Sequence, residues 1–251
     1  MRAAAQRSDY PAALYAQVHD GQAKDVDFYR RVCRGASSVL ELGCGWGRVA
    51  IPIARDGRDV VGLDLSKDLL ARARARAPEL TWVCGDMTDF DLGRTFDRVI
   101  IPFNGIYCLL AESDVIAALR RVEAHLDDEG ILAFDGYGAD AFHAQPDDPR
   151  WDEETFVKTI EALGTRWDVF ERSRWDRRTR RIDAMYRHRP HDDRAEVTST
   201  IPQRYLLRDE LPRLLAEAGL TLVDVAGDFD GSPATTDSPS LIVRARKAPT
   251  A

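Results

Sequence analysis

The feature that most constrains the fold of this chain is a hydrophobic run that ends in three alternating glycines. Residues 39–48 read VLELGCGWGR, which predicts a buried strand, a sharp turn and the start of a helix. Glycine tolerates the positive φ of such a turn and lets a ligand lie against bare backbone. The helix that follows offers unpaired N–H groups and the positive end of its dipole. The stretch therefore predicts a ligand-binding strand–turn–helix unit.

Around this turn, apolar strands alternate with helices. The predicted strands are Ser38–Leu42, Val60–Asp64, Thr81–Gly85, Arg98–Ile101, Ile131–Asp135, Thr221–Phe229 and Leu241–Arg246. Helical patterns fall at Asp25–Arg34, Arg48–Arg55, Lys67–Ala77 (capped by Ser66), 115–126 and Asp209–Ala218. This alternation is typical of a doubly wound, mostly parallel α/β sheet, here of seven strands.

Between residues 151 and 205 the periodicity changes to that of strands alone. Period-2 stretches at Trp167–Trp175, Arg181–His188 and Glu196–Tyr205 are separated by charged turns, which predicts an antiparallel β segment inserted into a single domain spanning 1–250. We expect this segment to be a lid over a substrate, a dimer-forming sheet, or both. Its many arginines fit a solvated face paired with nearby acids, and an anionic substrate is the alternative.

Composition narrows the possible partners. The 251 residues carry a net charge of −7, which disfavours a nucleic-acid substrate. No apolar stretch has the length of a signal peptide core or a membrane span, so we expect a cytoplasmic protein without a membrane partner. The four cysteines form no CxxC pair and the histidines are scattered, so no metal site is expected.

The glycine turn resembles the first motif of the class I S-adenosylmethionine-dependent methyltransferases, in which a strand ends in E/D-x-G-x-G-x-G. The rival dinucleotide fingerprint G-x-G-x-x-G needs a glycine where Arg48 stands, which argues against a nicotinamide-dependent oxidoreductase. The resemblance implies a Rossmann-like methyltransferase fold and S-adenosyl-L-methionine as cofactor, with S-adenosyl-L-homocysteine as product. It also implies that Glu41 helps to hold the amino-acid end of the cofactor.

Later positions extend this resemblance. Asp64 matches the acid that accepts the ribose hydroxyls, Asp86 the one that accepts the adenine amino group, and Met87 the apolar residue on the adenine ring. The loop after the fourth strand is implied to pass beside the sulfonium, and the N-terminal segment 1–35 to close over the cofactor. The expected cofactor contacts are Tyr15, Glu41, Gly43, Cys44, Gly45, Asp64, Leu65, Asp86, Met87, Pro102 and Phe103.

Each of these positions also has a purely structural interpretation. The glycines fit an ordinary strand-to-helix turn, Asp64 fits a cap of the next helix, and Asp86 fits a turn. Their order and spacing on successive strands favour the cofactor site.

The methyl acceptor is expected at the carboxyl ends of the fourth and fifth strands, where open α/β sheets bind ligands. Candidate side chains there are Asn104, Tyr107, Asp135, Tyr137 and His143. If the reaction needs a general base, His143 or Tyr137 is the candidate, although core packing of the tyrosines and an exposed loop for the histidine are alternatives. The expected substrate contacts are His19, Asn104, Tyr107 and Arg204.

The loop sequence favours a small-molecule acceptor. Residues 101–106 read IPFNGI in place of the Asn/Asp-Pro-Pro-Tyr/Phe motif of enzymes that methylate base amino groups. The loop and the segment 227–239 resemble bacterial small-molecule N- and O-methyltransferases, including glycine/sarcosine, amino-sugar and antibiotic-tailoring enzymes. Methyl transfer to a nitrogen or oxygen of a small molecule is thus the expected function. The alternatives are a non-catalytic partner subunit and a protein or RNA methyltransferase.

Overall fold

The computed structural model describes residues 9–21, 23–145 and 153–249, and it divides the chain into two compact units. The β unit comprises Met1–Asp20 and Gln145–Tyr205, and the α/β unit comprises Gly21–Ala144 and Leu206–Ala251. The N-terminal helix therefore belongs with the inserted segment. Trp151, the first residue of the predicted insertion, lies outside the described residues.

The elements are numbered in chain order. The strands are β1 (Ser38–Leu42), β2 (Asp59–Asp64), β3 (Thr81–Cys84), β4 (Phe96–Ile101), β5 (Leu126–Tyr137), β6 (Thr155–Ala162), β7 (Thr165–Asp176), β8 (Arg181–Pro190), β9 (Val197–Arg204), β10 (Leu220–Ala226) and β11 (Ser240–Lys247). The helices are α1 (Ala12–Val18), α2 (Ala23–Val32), α3 (Ala50–Arg55), α4 (Lys67–Arg76), α5 (Glu112–His125), α6 (Asp140–Ala144) and α7 (Leu211–Glu217). Short 3₁₀ helices occupy Gly105–Cys108 and Arg208–Glu210.

The α/β unit is built on one seven-stranded sheet with the order β10-β11-β5-β4-β1-β2-β3. Strands β1 to β5 pair in parallel, and β11 runs antiparallel to both β5 and β10. Strand β1 lies inside the sheet between β2 and β4, with Glu41 paired to Gly62 on one side and to Ile100 on the other. The predicted doubly wound, mostly parallel seven-stranded sheet is confirmed.

Burial explains why the central strands read as continuous apolar runs. Val39, Leu40 and Leu42 of β1 are fully buried because helices cover the sheet. Helix α4 begins where predicted, since the Ser66 hydroxyl accepts a hydrogen bond from the Leu69 N–H at 3.3 Å.

Strand β5 differs most from its prediction. It begins at Leu126 instead of Ile131, because α5 ends at His125 and the chain passes directly into the strand. Leu126 already pairs with Phe96 of β4, and the register then shifts before Arg98 pairs with Ile131. Gly130 therefore lies inside a strand.

The β unit is a four-stranded antiparallel sheet with the order β6-β7-β8-β9, covered by α1. Tyr10, Leu14 and Val18 pack with Ile160 and Trp167 in its hydrophobic core. The inserted antiparallel segment is confirmed, with one strand more than the sequence predicted. Strand β6 escaped prediction because apolar residues of this edge strand are exposed, and its pattern lacks a clean alternation. In the described part of the chain, no helix has the length and apolarity needed to cross a membrane.

Candidate functional site

The turn after β1 takes the conformation that its glycines predict. Gly43, Gly45 and Gly47 have φ values of 71°, 54° and 77°, in the region that disfavours residues with a side chain. The N–H groups of Gly43 and Cys44 both donate to the Leu63 carbonyl, at 2.8 and 3.1 Å, which fixes the turn to the end of β2. The Cys44 side chain is buried in the hydrophobic core, so only its backbone faces the turn.

Glu41 is a buried carboxylate at the carboxyl end of β1. It is 2% exposed, accepts a hydrogen bond from the Ala50 N–H, and its Oε2 has no hydrogen-bond partner among the described residues. Burial raises its pKa to about 8, and the nearby Arg48 guanidinium only partly offsets that rise. A buried acceptor atom left open in this way suits a cationic hydrogen-bond donor.

Arg48, which occupies the position of the third glycine in the dinucleotide fingerprint, has a structural role of its own. Its Nη1 and Nη2 donate to the two carboxylate oxygens of Asp25 at 2.7 and 2.8 Å. Its guanidinium also lies 5.1 Å from the centroid of the Phe103 ring. Arg48 therefore joins α2, the glycine turn and the loop after β4.

Asp64, at the end of β2, is fixed against the glycine turn. Its Oδ2 accepts from the Gly45 N–H at 2.7 Å, and its Oδ1 accepts from the Ser66 N–H at 2.7 Å. Burial raises the pKa of Asp64, and these backbone N–H groups oppose the rise. The side-chain cap of α4 comes from Ser66, so capping does not explain Asp64. Leu65 lies half-buried between them.

Asp86 and Met87 follow β3 along the same edge of the sheet. Asp86 Oδ1 accepts from the Thr88 N–H at 2.9 Å and from the Thr88 hydroxyl at 2.8 Å, so this carboxylate also stabilises a turn. The Met87 Cε lies 3.5 Å from the position that a Cβ on Gly43 would take. The structure thus brings Met87 to the glycine turn.

In the loop after β4, the two residues that follow Pro102 both have positive φ although neither is glycine. Phe103 and Asn104 have φ values of 57° and 58°. Asp135 Oδ1 accepts from the Phe103 N–H at 2.8 Å and its Oδ2 from the Asn104 N–H at 3.3 Å. Tyr29 of α2 donates its hydroxyl to the same Oδ1 at 2.6 Å. Burial raises the pKa of Asp135 to about 6, and these donors oppose the rise.

The remaining acceptor-side candidates of the α/β unit meet at the end of β5. Asn104 Oδ1 accepts from the Tyr137 N–H at 2.8 Å, and the hydroxyl of the fully buried Tyr107 donates to the Tyr137 carbonyl at 3.0 Å. The rings of Tyr107 and Tyr137 pack edge to face, with centroids 4.9 Å apart. His143 lies half-buried on α6, the next element along the chain.

The other three predicted site residues lie in the β unit. Tyr15 and His19 stack along α1 and its end with ring centroids 4.5 Å apart, and His19 is buried. Burial lowers the pKa of His19 to about 4, so its imidazole is neutral at pH 7. Arg204 ends β9 as a buried residue paired in register with Arg181.

Two sets of contacts, one in each unit, were not predicted. Asp25 and Tyr29 lie four residues apart on one face of α2 and reach Arg48 and Asp135, respectively. The replacement of the third glycine by an arginine was the available signal, because a buried cation needs an acidic partner. In the β unit, the Tyr10 hydroxyl lies 2.8 Å from Nε2 of His188, and nothing in the sequence pattern indicated that pair.

The residues at this edge fit S-adenosylmethionine. The turn has room at Gly43 and Gly45, where the atoms nearest to an added Cβ lie 3.5 and 4.0 Å away. Glu41 has an open buried oxygen for an ammonium group, and the Asp64 carboxylate lies beside the turn. Among the described residues, no group of histidines, cysteines and acids could hold a metal ion.

Comparison with known proteins agrees with this geometry. The family described as "Methyltransferase domain" matches residues 39–130, from β1 to within β5. The dTDP-3-amino-3,6-dideoxy-alpha-D-glucopyranose N,N-dimethyltransferase of Streptomyces fradiae is 31% identical over 244 residues, covering 91% of this chain and 90% of the relative. The chain belongs to the class I S-adenosylmethionine-dependent methyltransferases. It is an enzyme that methylates a nitrogen or oxygen of a small molecule.

Two further comparisons concern a second relative and a solved structure. The dTDP-3-amino-3,4,6-trideoxy-alpha-D-glucopyranose N,N-dimethyltransferase of Streptomyces venezuelae is 33% identical over 154 residues, 58% of this chain and 60% of the relative. The structure of the CcbJ methyltransferase from Streptomyces caelestis superposes with a TM-score of 0.77 at 26% identity, covering 91% of this chain and 97% of that one.

Proposed function

We propose that this enzyme methylates the amino group of a deoxysugar carried on a nucleoside diphosphate. The observation that carries the proposal is the extent of the similarity to the Streptomyces fradiae enzyme, which covers 91% of this chain. A match of that length includes most of the β unit in addition to the sheet that binds the cofactor. The Streptomyces venezuelae relative is named for the same kind of substrate.

The charge distribution of the β unit supports an anionic substrate. Burial raises the pKa of Tyr205, the neighbouring Arg177, Arg180 and Arg204 oppose that rise, and Asp176 adds to it. Three guanidinium groups and one carboxylate therefore lie near this phenol, which leaves an excess of positive charge. Arginine pairs with phosphate oxygens through two parallel hydrogen bonds. We assign Arg204 to binding of the diphosphate group of the substrate.

For the cofactor we propose the contacts implied by the family resemblance. S-adenosylmethionine, when bound, supplies an electrophilic methyl group on its sulfonium. Glu41 accepts a hydrogen bond from the ammonium group, Asp64 from the ribose hydroxyls and Asp86 from the adenine amino group. The glycine turn and Met87 border the cofactor. Tyr15 and His19 belong to the N-terminal segment that we propose closes the site.

The task of the protein in this reaction is to hold the acceptor nitrogen in line and to exclude bulk water. An amine that arrives protonated must also lose a proton before it can attack. Tyr137 and His143 are the proposed candidates for that step, with Asn104 and Tyr107 shaping the site. Replacing His143 by Gln and Tyr137 by Phe, with kcat measured across pH, separates the two candidates.

We also propose a cytoplasmic enzyme without a nucleic-acid partner, in keeping with the net charge of −7. A homodimer formed through the β unit is supported by Phe156 and Val157 on the edge strand β6, which are 59% and 39% exposed. Sedimentation of the wild-type chain and of Phe156→Asp tests this state, since a dimer that persists in the variant contradicts the β6 interface.

The acceptor class is tested by incubating the purified enzyme with S-adenosylmethionine and dTDP-3-amino-3,6-dideoxyglucose, followed by mass spectrometry. The expected result is a product with one or two added methyl groups. dTDP-glucose, which lacks the amine, is the matched control and should remain unmodified. If the enzyme binds S-adenosylmethionine but methylates neither compound, the sugar-nucleotide proposal is wrong, while the family assignment stands.

A further inference from the structure

The most strained backbone of the α/β unit is the turn Phe103–Asn104 after β4. Both residues have positive φ, 57° and 58°, although neither is glycine. Asparagine tolerates this region better than most residues, whereas phenylalanine does not. Two such residues in succession persist only where the surroundings hold them, and strain of this kind concentrates at functional sites.

Asp135 is the main residue that keeps the turn in this conformation. Its carboxylate, 5% exposed, accepts hydrogen bonds from the N–H groups of both turn residues, at 2.8 Å from Phe103 and 3.3 Å from Asn104. The Tyr29 hydroxyl fixes the carboxylate from the other side at 2.6 Å. The Asn104 side chain adds a further hydrogen bond to β5, because its Oδ1 accepts from the Tyr137 N–H at 2.8 Å.

The turn lies at the same edge of the sheet as the glycine turn. Strands β1 and β4 are parallel neighbours, so the loops that follow them are adjacent. Arg48 confirms the proximity, because its guanidinium lies 5.1 Å from the Phe103 ring centroid while it is paired with Asp25. Helix α2 therefore holds the glycine turn through Asp25 and the strained turn through Tyr29.

We propose that Asp135 is a positioning residue for methyl transfer: oriented by Tyr29, it holds the turn Phe103–Asn104 in the conformation that places the acceptor amine. Asp135 acts through the turn and does not touch the substrate. A carboxylate is suited to this task because it accepts three hydrogen bonds and donates none. In Asp135→Asn an amide NH₂ must face one of the three donors, so the turn loses its support.

The chain offers a matched control for the loss of stability. Asp97, at the amino end of β4, likewise accepts backbone N–H groups, from Ser37 at 2.6 Å and Ser38 at 2.9 Å. It lies at the opposite edge of the sheet from the turn. Asp97→Asn therefore removes a carboxylate that also holds two backbone N–H groups, without affecting the loop beside the cofactor.

The kinetic test rests on the proposed function and uses dTDP-3-amino-3,6-dideoxyglucose as acceptor. Asp135→Asn should lower kcat on the order of 100-fold, because in-line transfer is sensitive to displacements of about 1 Å. Its dissociation constant for S-adenosylhomocysteine should stay within about threefold of wild type, since the glycine turn is retained. Asp97→Asn should keep its kcat although it also loses hydrogen bonds to two backbone N–H groups. Equal kcat values in the two variants would overturn the proposal.

A second readout is independent of the acceptor. Burial raises the pKa of Asp135 to about 6, and the Phe103 and Asn104 amide resonances of the ¹⁵N-labelled wild-type enzyme should titrate near that value. The charged and titratable groups facing this carboxylate are Asp25 and Tyr29 of α2, Arg48 of the glycine turn and Tyr107. Tyr29→Phe removes a donor to the ionised form and should move the midpoint of the amide titration to higher pH.

The kinetic and NMR measurements together distinguish failure of the proposed function from failure of the proposed role of Asp135. If wild-type enzyme does not methylate the sugar nucleotide, the proposed function fails and the amide resonances alone decide the role of Asp135. Shifted Phe103 and Asn104 resonances in Asp135→Asn, but not in Asp97→Asn, then support the proposal. Resonances that neither titrate nor move in Asp135→Asn overturn it.

Discussion

The buried carboxylate of Glu41 makes a quantitative prediction about cofactor affinity. With a pKa of about 8 in the absence of ligand, only about a tenth of Glu41 is ionised at pH 7. The cofactor ammonium needs the ionised form, so binding must be linked to the release of a proton. We therefore expect S-adenosylmethionine to bind more tightly as the pH rises from 6 to 8.

The size of the effect follows from the pKa. The ionised fraction of Glu41 rises about 50-fold between pH 6 and pH 8, and deprotonation of an α-amino group with a pKa near 8 halves the gain. The dissociation constant should therefore fall about 25-fold over this range. At pH 7, binding should release a net of about 0.8 proton, because Glu41 loses about 0.9 and the α-amino group takes up about 0.1. Calorimetry measures this release as the dependence of the binding heat on buffer ionisation enthalpy.

Glu41→Gln supplies the decisive comparison. Its neutral side chain resembles protonated Glu41, so its affinity should approach that of wild type at pH 6 and should not improve at pH 8. Glu79→Gln, which alters an exposed glutamate, should keep the wild-type profile. A pH-independent wild-type affinity, or a pH dependence that survives in Glu41→Gln, would refute the reasoning.

Three further predictions concern other parts of the chain. Asp64→Ala should weaken S-adenosylmethionine binding by roughly 1–3 kcal/mol because two ribose hydroxyls lose their acceptor, and calorimetry that finds parental affinity contradicts the assignment. Gly45→Val places a branched side chain at a φ of 54°, so both Tm and cofactor binding should fall; unchanged binding argues against the glycine-turn site. Burial holds the pKa of His19 at about 4, below its ordinary value of 6.5, so the folded state takes up fewer protons than the unfolded state between these values. The stability contribution of His19 is present above pH 6.5 and should fall by about 2 kcal/mol by pH 5, and urea unfolding should show a shallower pH dependence in His19→Asn.

The sequence predicted what depends on local pattern. The strands of the parallel sheet are continuous apolar runs and the glycine turn is a local motif, so their order along the chain defined the fold. Strand β6 was missed because its apolar residues are exposed and do not alternate cleanly. The early start of β5 was missed because it depends on the pairing of Leu126 with Phe96 of β4. Helix α1 was missed because its apolar residues pack against a sheet formed by residues more than a hundred positions later in the chain.

In the site, too, residues of local motifs were predictable and long-range contacts were not. Glu41, Asp64 and the glycines belong to motifs with fixed spacing, and the structure brings them together at one edge of the sheet. The sequence placed Asp135 among the acceptor groups, but its hydrogen bonds to Phe103, Asn104 and Tyr29 involve residues 31 or more positions away. No single-sequence pattern encodes such contacts, so its role becomes visible only in three dimensions.

The β unit is discontinuous in sequence, and this has a consequence for protein engineering. Its sheet comes from residues after 145, yet Tyr10, Leu14 and Val18 of its core come from the first twenty residues. A chimera that exchanges only the internal segment with a relative would combine a foreign sheet with a native helix and separate Tyr10 from His188. The transferable module is therefore a pair of segments, and shuffling libraries for new acceptors should place their crossover points near residues 20, 145 and 205.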